Sequence, residues 1–204
     1  LLGSEMCIRD SAELHLLRAN ILSVKGDVQG VVQEADALMA VPSGDAYPYV
    51  AAGRIYSSVG RYQEAMGAFG RALAIKPQSY IYVNRYYVRP KADLAGRQGD
   101  VDEALKLDPA FQEALVAKAA LQGERGDWRG ATALLSQAIA KGGDARGLLV
   151  RRGIAWTRAG DSAQADKDFA EARKGAGTAP LLNNLCWTKA LEGVELDRAL
   201  EECG

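Results

Sequence analysis

Residues 46–79 read AYPYVAAGRIYSSVGRYQEAMGAFGRALAIKPQS, and this stretch decides the fold. Small residues stand at Ala52, Gly53, Ala65 and Ala72, where two helix backbones must approach closely, while Tyr49, Tyr56 and Phe69 fill the space between them. Gly60 falls between the two apolar runs, where it ends a first helix through a left-handed turn, and Pro77 stops a second. The segment is a helical hairpin by its own chemistry. It cannot bury its apolar face alone, so it needs a neighbour of the same kind.

The neighbours are present. Gly53 and Gly60 recur as Gly153 and Gly160, and the steps from Gly26 to Gly60 and from Gly126 to Gly160 are both 34 residues. Residues 112–145 place Leu115, Ala119, Gly126, Ala131, Leu135 and Ala138 at the corresponding positions. Residues 146–179 supply Leu149, Gly153, Trp156, Gly160, Ala165, Phe169 and Ala172, with Gly177 where the closing proline would stand. Residues 12–45 form a weaker unit through Ala19, Leu22, Gly26, Ala35 and Leu38. A sixth starts at 180 with Leu182, Leu185, Cys186 and Ala199. A fixed period of this length is the mark of a stacked array.

The order of aromatic, small pair, Tyr, Gly, Ala, Phe, Ala and Pro over 46–79 resembles the tetratricopeptide repeat (TPR). The resemblance implies an all-α, right-handed superhelical solenoid of antiparallel helical hairpins, with five units plus a partial sixth. It also implies a protein-interaction scaffold, with a groove lined from the second, fifth, ninth and twelfth positions of each unit. Carried onto this chain, those positions are Tyr47, Val50, Arg54 and Ser57, then Glu113, Val116 and Ala120. They continue through Val150, Ile154 and Thr157, with Arg158 beside them, to Leu181, Asn184 and Thr188. The expected partner is a peptide or helix whose apolar side chains meet Val116, Val150 and Ile154. A subclass of the family clamps a terminal carboxylate with Lys, Asn and Arg side chains. Here the matching places hold Leu16, Asn20, Ala51, Gly147 and Arg151, an incomplete set, so no such clamp is expected.

Residues 80–111 depart from the period, since only 32 residues separate the flanking units. Two parses compete. In the preferred one Arg89, Pro90 and Lys91 make the turn and a second helix runs from about Asp93 to Leu107 with Val101 and Ala104 inward. In the other, Gly99 and Asp100 are the turn. The cluster Tyr80, Tyr82, Arg85, Tyr86, Tyr87 and Arg89 is a possible secondary patch, because Tyr and Arg often anchor interfaces; packing between hairpins is the alternative.

Composition narrows the function. Lys plus Arg at 25 nearly cancels Asp plus Glu at 26, against the charge expected of a nucleic-acid binder. No apolar run is long enough to span a bilayer, so the chain reads as soluble, in the cytoplasm or periplasm if bacterial. Cys7, Cys186 and Cys203 are too few for a disulfide framework or a zinc site, and Cys186 is expected to be a small buried residue. The single histidine, His15, is expected on a helix surface or between helices. Asp166 and Asp168, two apart on a helix, are expected on a solvated face. With no nucleophile elbow, phosphate loop or HExxH, neither catalysis nor a cofactor or metal is expected.

The opening LLGSEMCIRDS resembles the translation of a sequencing adapter, so residues 1–11 are expected to lie outside the fold, while Leu196, Ala199, Leu200 and Cys203 start a helix just before Gly204. Both ends read as those of a fragment. LLNNLCW at 181–187 and LDRALEEC at 196–203 resemble the repeat-bearing tail of larger bacterial proteins with a transglutaminase-like domain. That resemblance implies the alternative of an interaction tail whose catalytic domain lies elsewhere.

Overall fold

The computed structural model describes residues 2–40, 42–142, 145–174, 179–194 and 196–203. Side chains are described for 11–40, 42–142, 145–174, 186–194, 196–197 and 199–200. All twelve elements among the described residues are α-helices. They fall into two compact units, residues 1–109 and 110–204.

The first unit holds α1 (Leu2–Val24), α2 (Val28–Ala40), α3 (Tyr47–Ser58), α4 (Tyr62–Ile75), α5 (Ser79–Val88) and α6 (Leu94–Leu107). Within it α1 pairs with α2, α3 with α4 and α5 with α6, and each hairpin packs on the next through α2 against α3 and α4 against α5. The second unit holds α7 (Gln112–Glu124), α8 (Trp128–Ile139), α9 (Arg146–Arg158), α10 (Ser162–Arg173), α11 (Ala179–Glu192) and α12 (Leu196–Cys203). There α7 pairs with α8, α9 with α10 and α11 with α12, while α8 and α11 both pack on α9.

The small residues do what their spacing requires. A Cβ on Gly53 would sit 2.6 Å from Phe69 Cε1, and a Cβ on Gly153 would sit 2.6 Å from Phe169 Cε1. Each phenylalanine ring therefore lies flat against the backbone of the facing helix, and both are essentially inaccessible to solvent. Gly60 and Gly160 end their helices at φ of 75° and 82°. The next N–H then reaches back, Arg61 to Tyr56 O and Asp161 to Trp156 O, each at 2.9 Å, which closes the left-handed cap.

Each turn also starts the following helix. Asp27, Asp93 and Asp127 accept hydrogen bonds from the backbone N–H of Gly30, Gly96 and Gly130 at 2.9 Å, and Asp161 accepts from Gln164 at 3.1 Å. These N-caps satisfy donors that a helix start leaves open. Arg61 holds the same place before α4 and makes no side-chain cap.

The irregular stretch follows the preferred parse. Helix α5 stops at Val88 ahead of Pro90, Asp93 caps α6, and Val101 and Ala104 are fully buried. Gly99 and Asp100 lie inside α6.

Residues 2–11 are helical, continuing α1 toward the start of the chain; with no proline between Leu2 and Val24, a helix extends from its packed half at no further nucleation cost. Two expectations need correction. Asp168 is buried rather than solvated, because Arg152 reaches it from α9 with Nε at 2.7 Å and Nη2 at 2.6 Å, whereas Asp166 is exposed. Cys186 is fully buried as expected, yet it is disulfide-bonded rather than a free thiol. The side chains of Cys7 and Cys203 lie outside the described ones, as does Gly177. His15 sits between helices, its Nδ1 2.5 Å from Glu34 Oε2.

Candidate functional site

In the second unit a cavity of about 700 Å³ opens beside α7, α8 and α9. Val116 and Ala120 of α7 and Val150 and Ile154 of α9 all line it. One face of α7 gives Val116, Ala119, Ala120 and Gly123 at successive helical spacings, and the matching face of α9 gives Gly147, Val150, Ile154 and Ala155. Ala119 and Ala155 are small, buried members of one apolar cluster with Ala131 and Leu135 of α8.

Helix α8 supplies the rest of the apolar wall through Trp128, Ala131 and Leu135. The Trp128 ring can lie along α7 because Gly123 has no side chain; a Cβ there would meet Trp128 Cζ3 at 2.7 Å. Behind α9, Val150 and Ile154 belong to a second cluster with Phe169 and Val194. Lys189 of α11 places its ammonium 4.3 Å from the centre of the Phe169 ring and is itself fully buried. The rim is charged, with Arg151, Glu124 and Glu192 around the apolar floor and Thr188 beside them.

Other groove residues fall elsewhere. Glu113 is exposed on α7 and does not line the cavity. Arg158 is exposed and donates from Nη2 to the carbonyl of Glu192, while Thr157 donates to Gly153 O at 3.0 Å. The side chains of Leu181 and Asn184 lie outside the described ones. In the first unit Val50 is buried in the core, Tyr47 and Ser57 are half-buried, and Arg54 is exposed on α3.

The cluster at 80–89 is engaged with α6. Asp100 is almost wholly buried and accepts from Arg85 Nη2 at 2.5 Å and from Arg89 Nε at 2.6 Å. Arg89 also reaches Asp93 at 2.7 Å, and these carboxylates hold its guanidinium pKa above the ordinary value. Asp93 is held below the usual carboxylate range by the Gly96 N–H and by Arg89. Arg85 lies over the Tyr82 ring at 5.5 Å, and Arg97 over the Tyr86 ring at 5.0 Å. Tyr82, Arg85, Tyr86 and Arg89 thus spend much of their bonding capacity inside the hairpin.

Sequence reasoning missed Trp128, Leu135 and Arg151 as cavity residues. The available signal was Gly123, a glycine inside a helix with no turn to make.

Among the described residues no helix is long and apolar enough to cross a membrane, and no group of three or more His, Cys, Asp or Glu side chains could hold a metal.

Paired helices, close-packed glycine-aromatic contacts and a left-handed glycine at the turns define a repeat protein built from helical hairpins. The fold is TPR-like, as the solved structures similar to it show. The crystal structure of PilW, described as a widely conserved type IV pilus biogenesis factor, matches with a TM-score of 0.70 at 21% identity, covering 94% of this chain and 90% of that one. A tetratricopeptide repeat protein from Parabacteroides merdae matches at 0.68 and 18% identity, covering 95% and 77%. YrrB, described as a TPR protein with an unusual peptide-binding site, matches at 0.57 and 17%, covering 78% and 84%. No family model matches the chain, and no curated protein matches it in sequence.

Proposed function

We propose that this chain is a protein-interaction scaffold that catalyses no reaction of its own, and that the cavity between α7 and α9 takes an apolar side chain of a partner peptide or helix. The observation that carries this is convergence: Val116, Ala120, Val150 and Ile154, each expected in the groove from its place in the repeat, line a single cavity. A volume of about 700 Å³ suits a few side chains and not a whole domain. The description of YrrB as having a peptide-binding site agrees with a peptide occupant. Near-zero net charge favours a protein partner over nucleic acid.

Burying one leucine-sized anchor there contributes about 2 kcal/mol, whereas an ion pair with exposed Arg151 or, on α3, Arg54 contributes under about 1 kcal/mol. Apolar contact therefore sets affinity and the rim charges set direction. Tyr47, Arg54 and Ser57 form a second, smaller contact on the first unit.

Peptides selected from a random library against the whole chain test this. Val150 and Ile154 are 9% and 7% exposed and hold the core, so the useful changes are at half-buried Val116 and exposed Ala120. Ala120→Trp fills the mouth and Val116→Asp puts a charge on its wall; each should weaken selected peptides by about tenfold or more while helicity is unchanged. Undiminished binding to both variants overturns the proposal.

A further inference from the structure

Helix α1 is apolar on two opposite sides. Its inner side, with buried Ala12 and Ala19 and half-buried Leu16 and Leu22, packs against α2 and α3. Its outer side carries Leu14, Leu17, Ile21 and Val24, which are 47%, 57%, 49% and 90% exposed. At the helical step of about 100° per residue, these four lie within about 80° of one another and point away from the buried set. Large side chains in a contiguous exposed stripe mark a contact surface.

The spacing of the stripe names the kind of contact. Leu14, Leu17, Ile21 and Val24 are separated by three, four and three residues, which places Leu14 and Ile21 at the a positions and Leu17 and Val24 at the d positions of a heptad. That is the seam of a helix that packs against another helix side by side. In the same register Glu13 stands at g and Arg18 at e, one on each flank of the stripe, both exposed.

We propose that this face pairs with the same face of a second copy of the chain, the two α1 helices running parallel. In that arrangement a g residue of one helix meets the e residue five positions on in the other, so Glu13 of each copy faces Arg18 of the second copy, and two-fold symmetry makes the pair twice. The antiparallel alternative brings like flanks together and sets Arg18 against Arg18. The charges thus choose both the occupant and its direction. This surface belongs to the first unit, whereas the cavity belongs to the second.

Sedimentation equilibrium on the full chain, from low to high micromolar concentration, should show a reversible dimer of the 21.8 kDa chain. Leu17→Glu with Ile21→Glu should leave it monomeric with unchanged helicity, since both positions are exposed. Glu13→Arg alone and Arg18→Glu alone should each weaken the dimer by about tenfold, and an equimolar mixture of the two variants should recover it as a mixed pair. A chain that stays monomeric throughout, a dimer that survives the change at Leu17 and Ile21, or a mixture that stays apart overturns the proposal. Recovery in the mixture cannot come from a folding defect and supports it directly.

Discussion

Replacing Gly53 by alanine tests the close contact that joins α3 to α4 and that Gly153 and Phe169 repeat between α9 and α10. The new Cβ would lie 2.6, 2.8 and 2.8 Å from Phe69 Cε1, Cδ1 and Cζ. Carbon atoms in contact prefer about 3.5 to 4 Å, so three ring atoms overlap by roughly 1 Å. The ring is 1% exposed and walled by Ala52, Ala65 and Ala72, which leaves it no direction of retreat. Overpacking of this kind costs up to about 3 kcal/mol, and alanine's better helix propensity returns about 1 kcal/mol, for a net loss of about 2 kcal/mol. Gly67 is the control: it lies inside α4, is exposed, and an added Cβ meets nothing within 4 Å. Gly67→Ala should therefore stabilise by about 0.5 to 1 kcal/mol. Urea unfolding followed by tyrosine fluorescence reads the first unit selectively, because all eight tyrosines lie between Tyr47 and Tyr87 and the three tryptophans all lie beyond Trp128 or at it. Adding Phe69→Leu to Gly53→Ala should give back part of the loss in a double-mutant cycle. If Gly53→Ala is as harmless as Gly67→Ala, the helices of this hairpin do not approach as described.

Two further predictions concern buried polar groups. Asp168→Leu removes the carboxylate that Arg152 grips, leaving the guanidinium only its bond to Ser136, and should cost about 2 to 3 kcal/mol in tryptophan-monitored unfolding of the second unit, while Arg152→Met together with Asp168→Leu should recover most of it. Tyr56 donates its phenol hydrogen to Asp36 at 2.5 Å, and burial first, with that hydrogen bond second, raises its pKa well above the ordinary value. The folded state therefore favours the neutral phenol. Stability from this group is complete below about pH 10, where the unfolded chain begins to ionise, and falls as pH rises toward the folded value. Wild-type chain should lose stability more steeply above about pH 10 than Tyr56→Phe; parallel curves would contradict the sign.

The legible part of the fold was whatever repeats. Gly53 with Phe69 and Gly153 with Phe169 announce the same contact a hundred residues apart, and Pro90 with Asp93 marks the displaced turn of the irregular unit. Val116, Val150 and Ile154 could be placed on one surface because the period carries a position from one unit to the next. What stayed hidden was set by neighbours from another helix. Asp100 follows a glycine just as Asp27, Asp127 and Asp161 do, the basis of the competing parse, and its burial within α6 is set by Arg85 of α5 and by Arg89 just beyond it. Asp168 is hidden for the same reason, its partner standing 16 residues earlier on α9. No helical spacing reveals a carboxylate whose burial is decided by the opposite helix. Trp128 joined the cavity through Gly123, a contact between α7 and α8 that the spacing of groove positions does not address.

Hydrogen exchange of the chain with and without a library-selected peptide tests the central claim most directly. The account predicts added backbone amide protection concentrated on α7 and α9 around Val116, Ala120, Val150 and Ile154, lost when Ala120→Trp is used. Protection that leaves α7 and α9 untouched and falls instead on another helix would contradict it.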